Sequence, residues 1–496
     1  MPTRRTALAS AVLASAALTT PLHALAQGRK DSVTLALVLE PPGLDPTAGA
    51  ASSIAEVTLY NIYETLTKIN ADGSVSPLLA ESWEVSPDLK TYTFRLRRGV
   101  QFQNGEPCNA TAVKFSFDRA GGDKSTNKDK RLFAGLTTQV VDEHTVVLIN
   151  QDIEPDLLFL LGQATAIIVE PKSAATNATR PVGTGPYQLA AWSRGASLTL
   201  AAWPQWRQAA AIKMRRATFR FIPDPAAQVA ALLAGDVDAF PRVTPRSMAQ
   251  FKSDPRFQVI VSGSRAKTIL AINNARKPLD DVRVRRAIAA AIDRKAVIQG
   301  AADGLGVAIG SHYVPGAYGF VDTTGINPYD PEKARKLLAE AGVKLPLTLT
   351  MTLPPAPYAR QGGELIAAQL AKVGITLKLQ NVEWAQWLSG TYGAKNYDLT
   401  LISHVEPFDL GNFAKPDYYW GYRSPQFNEL YDKIKNAARP ADRARLLGEA
   451  QRLLAVDAVH VFLYQPQWVT VARKNLRGLW KDMPIFVNDL SALSWS

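Results

Sequence analysis

A single cysteine, Cys108, stands in a chain of 496 residues, so no internal disulfide is possible and stability must come from a packed core. Because it lies far from the amino terminus, a lipid-bearing cysteine at a leader cleavage site is excluded too. Long apolar runs are also missing. Ala7 to Leu18 falls short of the ~20 apolar residues that a membrane span needs, and no later stretch approaches that length without charge or proline. Nor is there a Gly-x-Ser-x-Gly elbow, a His-Glu-x-x-His pair or a P-loop. Gly183-Thr184-Gly185 is followed at once by Pro186, with no third glycine opening a helix, which removes a dinucleotide turn. The five histidines show no paired metal-ligand spacing. These absences argue against an enzyme and against a bound metal or cofactor.

What is present begins with a leader. Arg4 and Arg5, an uncharged run from Thr6 to Pro21, and Ala24-Leu25-Ala26 predict a secretory signal peptide over residues 1–26, cleaved after Ala26. Thr3-Arg4-Arg5-Thr6-Ala7-Leu8 fits twin-arginine export as well as the general route. The whole chain has 47% hydrophobic and 8% aromatic residues, and the exported part is expected to be a soluble, packed globular protein. The net charge of +12 permits anionic partners, but the basic residues are spread along the chain. A solvated basic surface is expected rather than a nucleic-acid face.

Periodicity predicts two α/β units. Leu347, Leu349 and Met351 alternate with Thr as a strand, Arg360 to Val373 carries apolar residues at helical spacing, Gly374 stops that helix, and Ile375 to Gln380 alternates again. Strand, helix and strand make a right-handed βαβ crossover, and Asn396 to Ser403 reads as the next strand. Earlier, Ala217 to Ile222 is a strand, Asp224-Pro225 caps and opens a helix ended by Gly235, and Val237 to Phe240 resumes the sheet. Asp281 to Ile298 reads as one amphipathic helix, and Asp330-Pro331 starts another closed by Gly342. Two βαβ regions more than a hundred residues apart predict two α/β lobes rather than one continuous sheet, with a cleft between them. Tyr92, Phe94 and Leu96 alternate with Thr and Arg, predicting a half-wet antiparallel strand in an appended subdomain.

One resemblance runs over nearly the whole chain. Pro77-Leu78-Leu79-Ala80-Glu81-Ser82-Trp83, then Tyr92-Thr93-Phe94-Arg95-Leu96-Arg97, then Asn104-Gly105-Glu106-Pro107, is similar to the family 5 extracellular solute-binding proteins. Val182-Gly183-Thr184-Gly185-Pro186-Tyr187, Asn273-Asn274, Tyr329-Asp330-Pro331-Glu332-Lys333-Ala334 and Ala371-Lys372-Val373-Gly374-Ile375 resemble further blocks in the family's order. The resemblance implies a two-lobed periplasmic-binding-protein fold of the large, type II, peptide-binding kind. Lobe I would cover 27–266 with an extra subdomain at about 46–180, lobe II 267–470, and the return to lobe I 471–496. The chain would cross between lobes near Lys267 to Ile272 and again near Tyr464 to Val471.

Ligands of open α/β sheets collect beyond the carboxyl ends of strands. Two loops qualify, Glu40 to Pro46 with Pro42 and Gly43, and His404 to Asp409. In relatives that bind dipeptides the second loop carries an acidic residue for the peptide ammonium, and Glu406 falls there; Phe408-Asp409-Leu410-Gly411 departs from the family pattern. Glu406 or Asp409 facing inward would favour a cationic ligand group, since a buried unpaired carboxylate is costly. Arg360 resembles the region that meets a ligand carboxylate. Trp384, Tyr419 and Trp420 offer flat walls, and His404 a hydrogen bond. Cys108 is expected to be a small buried hydrophobe.

The resemblance therefore implies a periplasmic receptor of an ABC importer, without cofactor and expected to be monomeric. It would capture di- or oligopeptides or peptide-like amino compounds and hand them to a membrane permease. An opine, a nickel chelate, haem or an oligosaccharide are the rival cargoes, and a secreted hydrolase the rival class.

Overall fold

The computed structural model describes residues 31–496 except Ala50 and Thr244. The predicted leader and its cleavage point at Ala26 lie outside the described residues. No described helix is long and apolar enough to cross a membrane.

A twelve-stranded sheet forms the frame, and one long strand, His460–Arg473, holds its two halves together. Its first part pairs antiparallel with Lys267–Ile272, and its second part with Phe257–Gly263, Gln467 standing opposite Gly263. The chain thus passes from one half to the other twice, through residues 264–266 and along this strand. In the first half Ser32–Leu37 lies between Arg216–Phe221 and Ala239–Val243, parallel to both. In the second, Leu347–Leu353 pairs in parallel with Ile375–Asn381 and with Leu399–His404. Two α/β lobes are the result, but on one continuous sheet and not the separate sheets expected, because His460–Arg473 pairs with strands of both halves.

Local chemistry explains most of these elements. Asp224 accepts a hydrogen bond from the Ala227 amide, Pro225 opens the helix Pro225–Ala234, and Gly235 ends it at φ +84°. Asp330 and Pro331 open Pro331–Glu340 in the same way. The helix predicted as Arg360 to Val373 runs from Pro357 to Ala371, because Pro357 suits the first turn. The single helix predicted from Asp281 to Ile298 is two, Val282–Ala290 and Arg294–Ala301. Asp293 accepts from the Lys295 and Ala296 amides and so caps a new helix inside the periodic pattern.

The appended subdomain is a four-stranded antiparallel sheet, Ala80–Val85, Thr91–Leu96, Thr145–Asn150 and Leu136–Asp142, backed by the helix Ala110–Gly121. Phe94, Phe102 and Phe117 fill its core, and Cys108 is buried with them, its thiol pushed up to about 12 by desolvation. The second lobe is packed by Ile288, Leu338, Ile366 and Leu401 between helices and sheet. Truncating any one of these to alanine is expected to cost about 2–5 kcal/mol.

Candidate functional site

Where the halves of the frame meet, a cavity of about 680 Å³ opens. Its wall is assembled from every part of the fold. Pro46 and Leu59 come from the first lobe, Lys128 and Gln163 from the subdomain, and Arg265 from the crossing. The second lobe supplies Val405 to Phe408, and Trp468 and Phe486 come from the long strand and the carboxyl-terminal segment. The volume lies within the ~300–1,000 Å³ usual for small-molecule sites.

The loop after Leu399–His404 is set by a buried charge pair. Lys267, the register partner of His404, directs its ammonium at Asp409 Oδ1 at 2.7 Å, and both side chains are almost fully enclosed. The same ammonium donates to the carbonyl oxygen of Glu406. On the other oxygen, His312 Nε2 stands 2.7 Å from Asp409 Oδ2. Burial works against the Asp409 charge, but His312 and Lys267 outweigh it and hold the carboxyl well below its ordinary range. Burial also lowers His312 and His404, the latter to about 3, so both rings are neutral. A carboxylate accepts only, so the proton between His312 and Asp409 belongs to His312 Nε2.

Behind this pair lies an aromatic nest. His404 Nε2 meets the Tyr419 hydroxyl at 2.9 Å, and Trp420 stacks on Phe413 at 4.4 Å and meets His460 edge-on at 4.8 Å. Packing of this density leaves the loop few alternative positions. Its outcome is that Glu406, with a side chain 64% exposed, is presented to the cavity while Asp409 is held away from it.

The residues singled out from sequence separate accordingly. Glu406 is on the cavity wall. Asp409, expected as a possible ligand group, does not line the cavity, and both its oxygens are engaged by Lys267 and His312. His404, Tyr419 and Trp420 are buried in the nest behind the loop rather than in the wall. Pro42 is exposed and Gly43 packs against Ala178, so Pro46 is the member of that loop which reaches the cavity. Trp384 is 45% exposed against Trp387, and Arg360 is exposed, 3.5 Å from Glu383. Neither lines the cavity.

Most of the wall lay outside the two loops expected from sequence, including Trp468, Phe486 and Arg265. Trp468 and Phe486 stack at 5.2 Å, with the Arg242 guanidinium over both rings and paired to Glu56. Arg242 holds this place at φ +61°, an uncommon conformation for a non-glycine residue. Arg265 stands two residues before the crossing strand, and its position there was the one signal available.

Two further contacts tie the halves together. Phe159 of the first half meets Phe408 edge-on at 4.8 Å, and Asp156 pairs with Arg443 at 2.7 Å. As for metals, His312, His404 and Asp409 bring ligand atoms within 4.8 Å of one another. Lys267 already places its ammonium on that carboxylate, so a divalent cation there would face a buried like charge. The group fits an internal ion pair better than a metal.

A cleft between two α/β lobes, with a shaped cavity and a charged loop at a strand end, defines a solute-binding protein. Residues 74–425 match the model of the bacterial extracellular solute-binding proteins, family 5, and the chain belongs to that family. It is 28% identical over 490 residues to the dipeptide-binding protein of Escherichia coli K12, covering 88% of this chain and 90% of that one. It is likewise 28% identical over 464 residues to the glutathione-binding protein GsiB of Salmonella choleraesuis, covering 88% and 89%. Among solved structures, AgaA of A. tumefaciens R10 in complex with agropinic acid superposes with a TM-score of 0.77 at 26% identity, covering 94% and 99%.

Proposed function

We propose that this chain is the periplasmic receptor of an ABC importer, closing its lobes around a di- or tripeptide, or a peptide-like amino compound, and delivering it to a membrane permease. The observation that carries this reading is the Glu406 carboxylate on the cavity wall, in a loop whose backbone is tied by Lys267 and whose other acid is neutralised internally. Such a carboxylate, shielded from water once a ligand is enclosed, gains most from pairing with an ammonium group. The names of the relatives, which bind dipeptides and glutathione, agree with it. On this reading the chain is a receptor rather than an enzyme, acts as a monomer, and is exported with residues 1–26 removed. Lobe I then spans 27–266, lobe II 267–470, and the return 471–496.

AgaA, seen with agropinic acid, favours a second cargo: an opine, in which an amino acid is condensed with a second carbon skeleton. The two are separated by a thermal-shift screen of ligand-stripped mature protein against dipeptides, tripeptides, opines, nickel chelates and sugars. A ligand that binds only the folded state raises its melting temperature by mass action. A rise with peptides, lost on N-acetylation, supports the peptide reading; a rise with opines alone replaces it.

A further inference from the structure

Four half-buried arginines of this protein each hold a carboxylate: Arg119 with Asp45, Arg207 with Glu64, Arg242 with Glu56 and Arg443 with Asp156. Other enclosed arginines hold no carboxylate: Arg285 and Arg294 donate to backbone carbonyls and Arg473 lies over the Phe257 ring, while Arg265 is the arginine that lines the cavity. It is partly buried on the cavity wall, yet among the described residues it has neither an ion pair within 4.0 Å nor a hydrogen bond from its guanidinium. The titratable groups whose charge would favour it are Tyr313 and Asp482. The Asp482 carboxylate accepts from the Gly263 amide at 3.2 Å.

The guanidinium is nonetheless seated. A Cβ added at Gly73 would come within 2.5 Å of Arg265 Nη2, so the turn at Gly73, with φ +83°, leaves room that any side chain would take away. Pro484 closes on the same turn from the other side. Desolvation works against this charge, and an arginine, which does not give up its proton at neutral pH, answers by finding acceptors, of which a carboxylate matches its fork best.

Four charged residues line the cavity: Lys128, Asp129, Arg265 and Glu406. Asp129 already accepts from the Thr165 hydroxyl at 2.6 Å, and Lys128 is exposed. That leaves one anion and one enclosed cation, Glu406 on the second lobe and Arg265 at the crossing. We propose that Arg265 is the carboxylate anchor of the cleft, which narrows the ligand class to short zwitterions carrying an ammonium group for Glu406 and a free carboxylate for the guanidinium fork. This inference rests on the receptor reading above and names the second end of its ligand. Its placement at the crossing would let a bound carboxylate bridge the segment that moves when the lobes close.

The test is titration calorimetry on ligand-stripped protein with Ala-Phe, Ala-Phe amide, Ala-Glu and Ala-Glu amide, in wild type, Arg265→Gln, Arg265→Lys and Lys128→Gln. The expected result is a loss of at least tenfold on amidation of Ala-Phe in wild type and Lys128→Gln, and of less than twofold in Arg265→Gln. Arg265→Lys keeps the charge without the fork and should fall between. If Ala-Glu amide binds wild type as well as Ala-Glu does, and loses that affinity in Arg265→Gln, the anchor takes a side-chain carboxylate instead of the terminal one. An amidation penalty that is equal in wild type and Arg265→Gln, or that disappears in Lys128→Gln, overturns the proposal while leaving the receptor reading in place. No binding of any peptide to wild type overturns both. Unfolding temperatures of the apo variants within a few degrees of wild type confirm that a lost affinity is not a lost fold.

Discussion

Lys267 and Asp409 meet at 2.7 Å in the interior of the second lobe, and that pair decides which acid of the cleft loop faces the cavity. It joins the first residue of the crossing strand to a loop 142 residues later. Asp409 is drawn inward, and Glu406, three positions before it, is left facing the cavity.

Breaking the pair from one side is expected to be severe. Lys267→Met leaves Asp409 buried without its counter-charge, which should destabilise the fold by about 3–5 kcal/mol. Lys267→Met combined with Asp409→Asn removes the stranded charge and should recover part of that loss. Urea unfolding of the two single variants and the double variant gives the coupling directly.

Glu406→Gln is expected to do the opposite. Its side chain is exposed in the apo cleft, so unfolding stability should stay within about 0.5 kcal/mol of wild type. Affinity for a ligand with a free ammonium should fall at least tenfold, whereas its N-acetylated form should bind both proteins equally. The check is a pair of calorimetric titrations beside one denaturation curve.

Much of the frame was legible in the sequence because its signals are local. Asp224-Pro225, Asp330-Pro331, Gly235 and Gly374 each act within one turn of themselves, and the alternation at Leu347 to Met351 needs no distant partner. The break at Asp293 was hidden because apolar periodicity continues across it while a capping carboxylate restarts the helix. The site was less legible for the reason that makes it a site. Asp409 and Glu406 are both acids on one loop, and what tells them apart is Lys267, 142 residues from Asp409, and His312, 97 residues from it. Tyr419 and Trp420 read as cleft walls because aromatics serve cores and clefts alike, and here they brace the loop from behind.

Three buried histidines predict acid sensitivity of the second lobe. His312, His404 and His460 all lie below the ordinary 6.5, burial being the largest cause in each case, and His460 Nδ1 also accepts the Ile272 amide at 3.1 Å. With folded values depressed, the unfolded chain binds more protons as pH falls below about 6.5. Stability is therefore fully present above that pH and declines as pH drops below it, for His404 by about 1.4 kcal/mol per pH unit until pH nears about 3. Urea midpoints measured from pH 7.5 to 4.0 should be flat at the upper end and fall below pH 6. A flat profile throughout would contradict the neutral assignment.

The Phe159–Phe408 and Asp156–Arg443 contacts between the halves should bias the lobes towards closure. Arg443→Gln removes the bridge to Asp156, and Phe159→Ala removes the edge-on contact with Phe408, worth about 0.5–1.5 kcal/mol beyond its area. Both variants are expected to show a larger apo radius of gyration by X-ray scattering and weaker ligand binding. Unchanged scattering would mean that these contacts do not govern the opening.

The central claim is that Glu406 reads an ammonium group in the cleft between the lobes. Its most direct measurement is titration of wild type and Glu406→Gln with a dipeptide and with the N-acetylated form of that dipeptide. The account predicts that acetylation abolishes tight binding to wild type and makes no difference to Glu406→Gln. An acetylated peptide that binds wild type as tightly as the free one would contradict it.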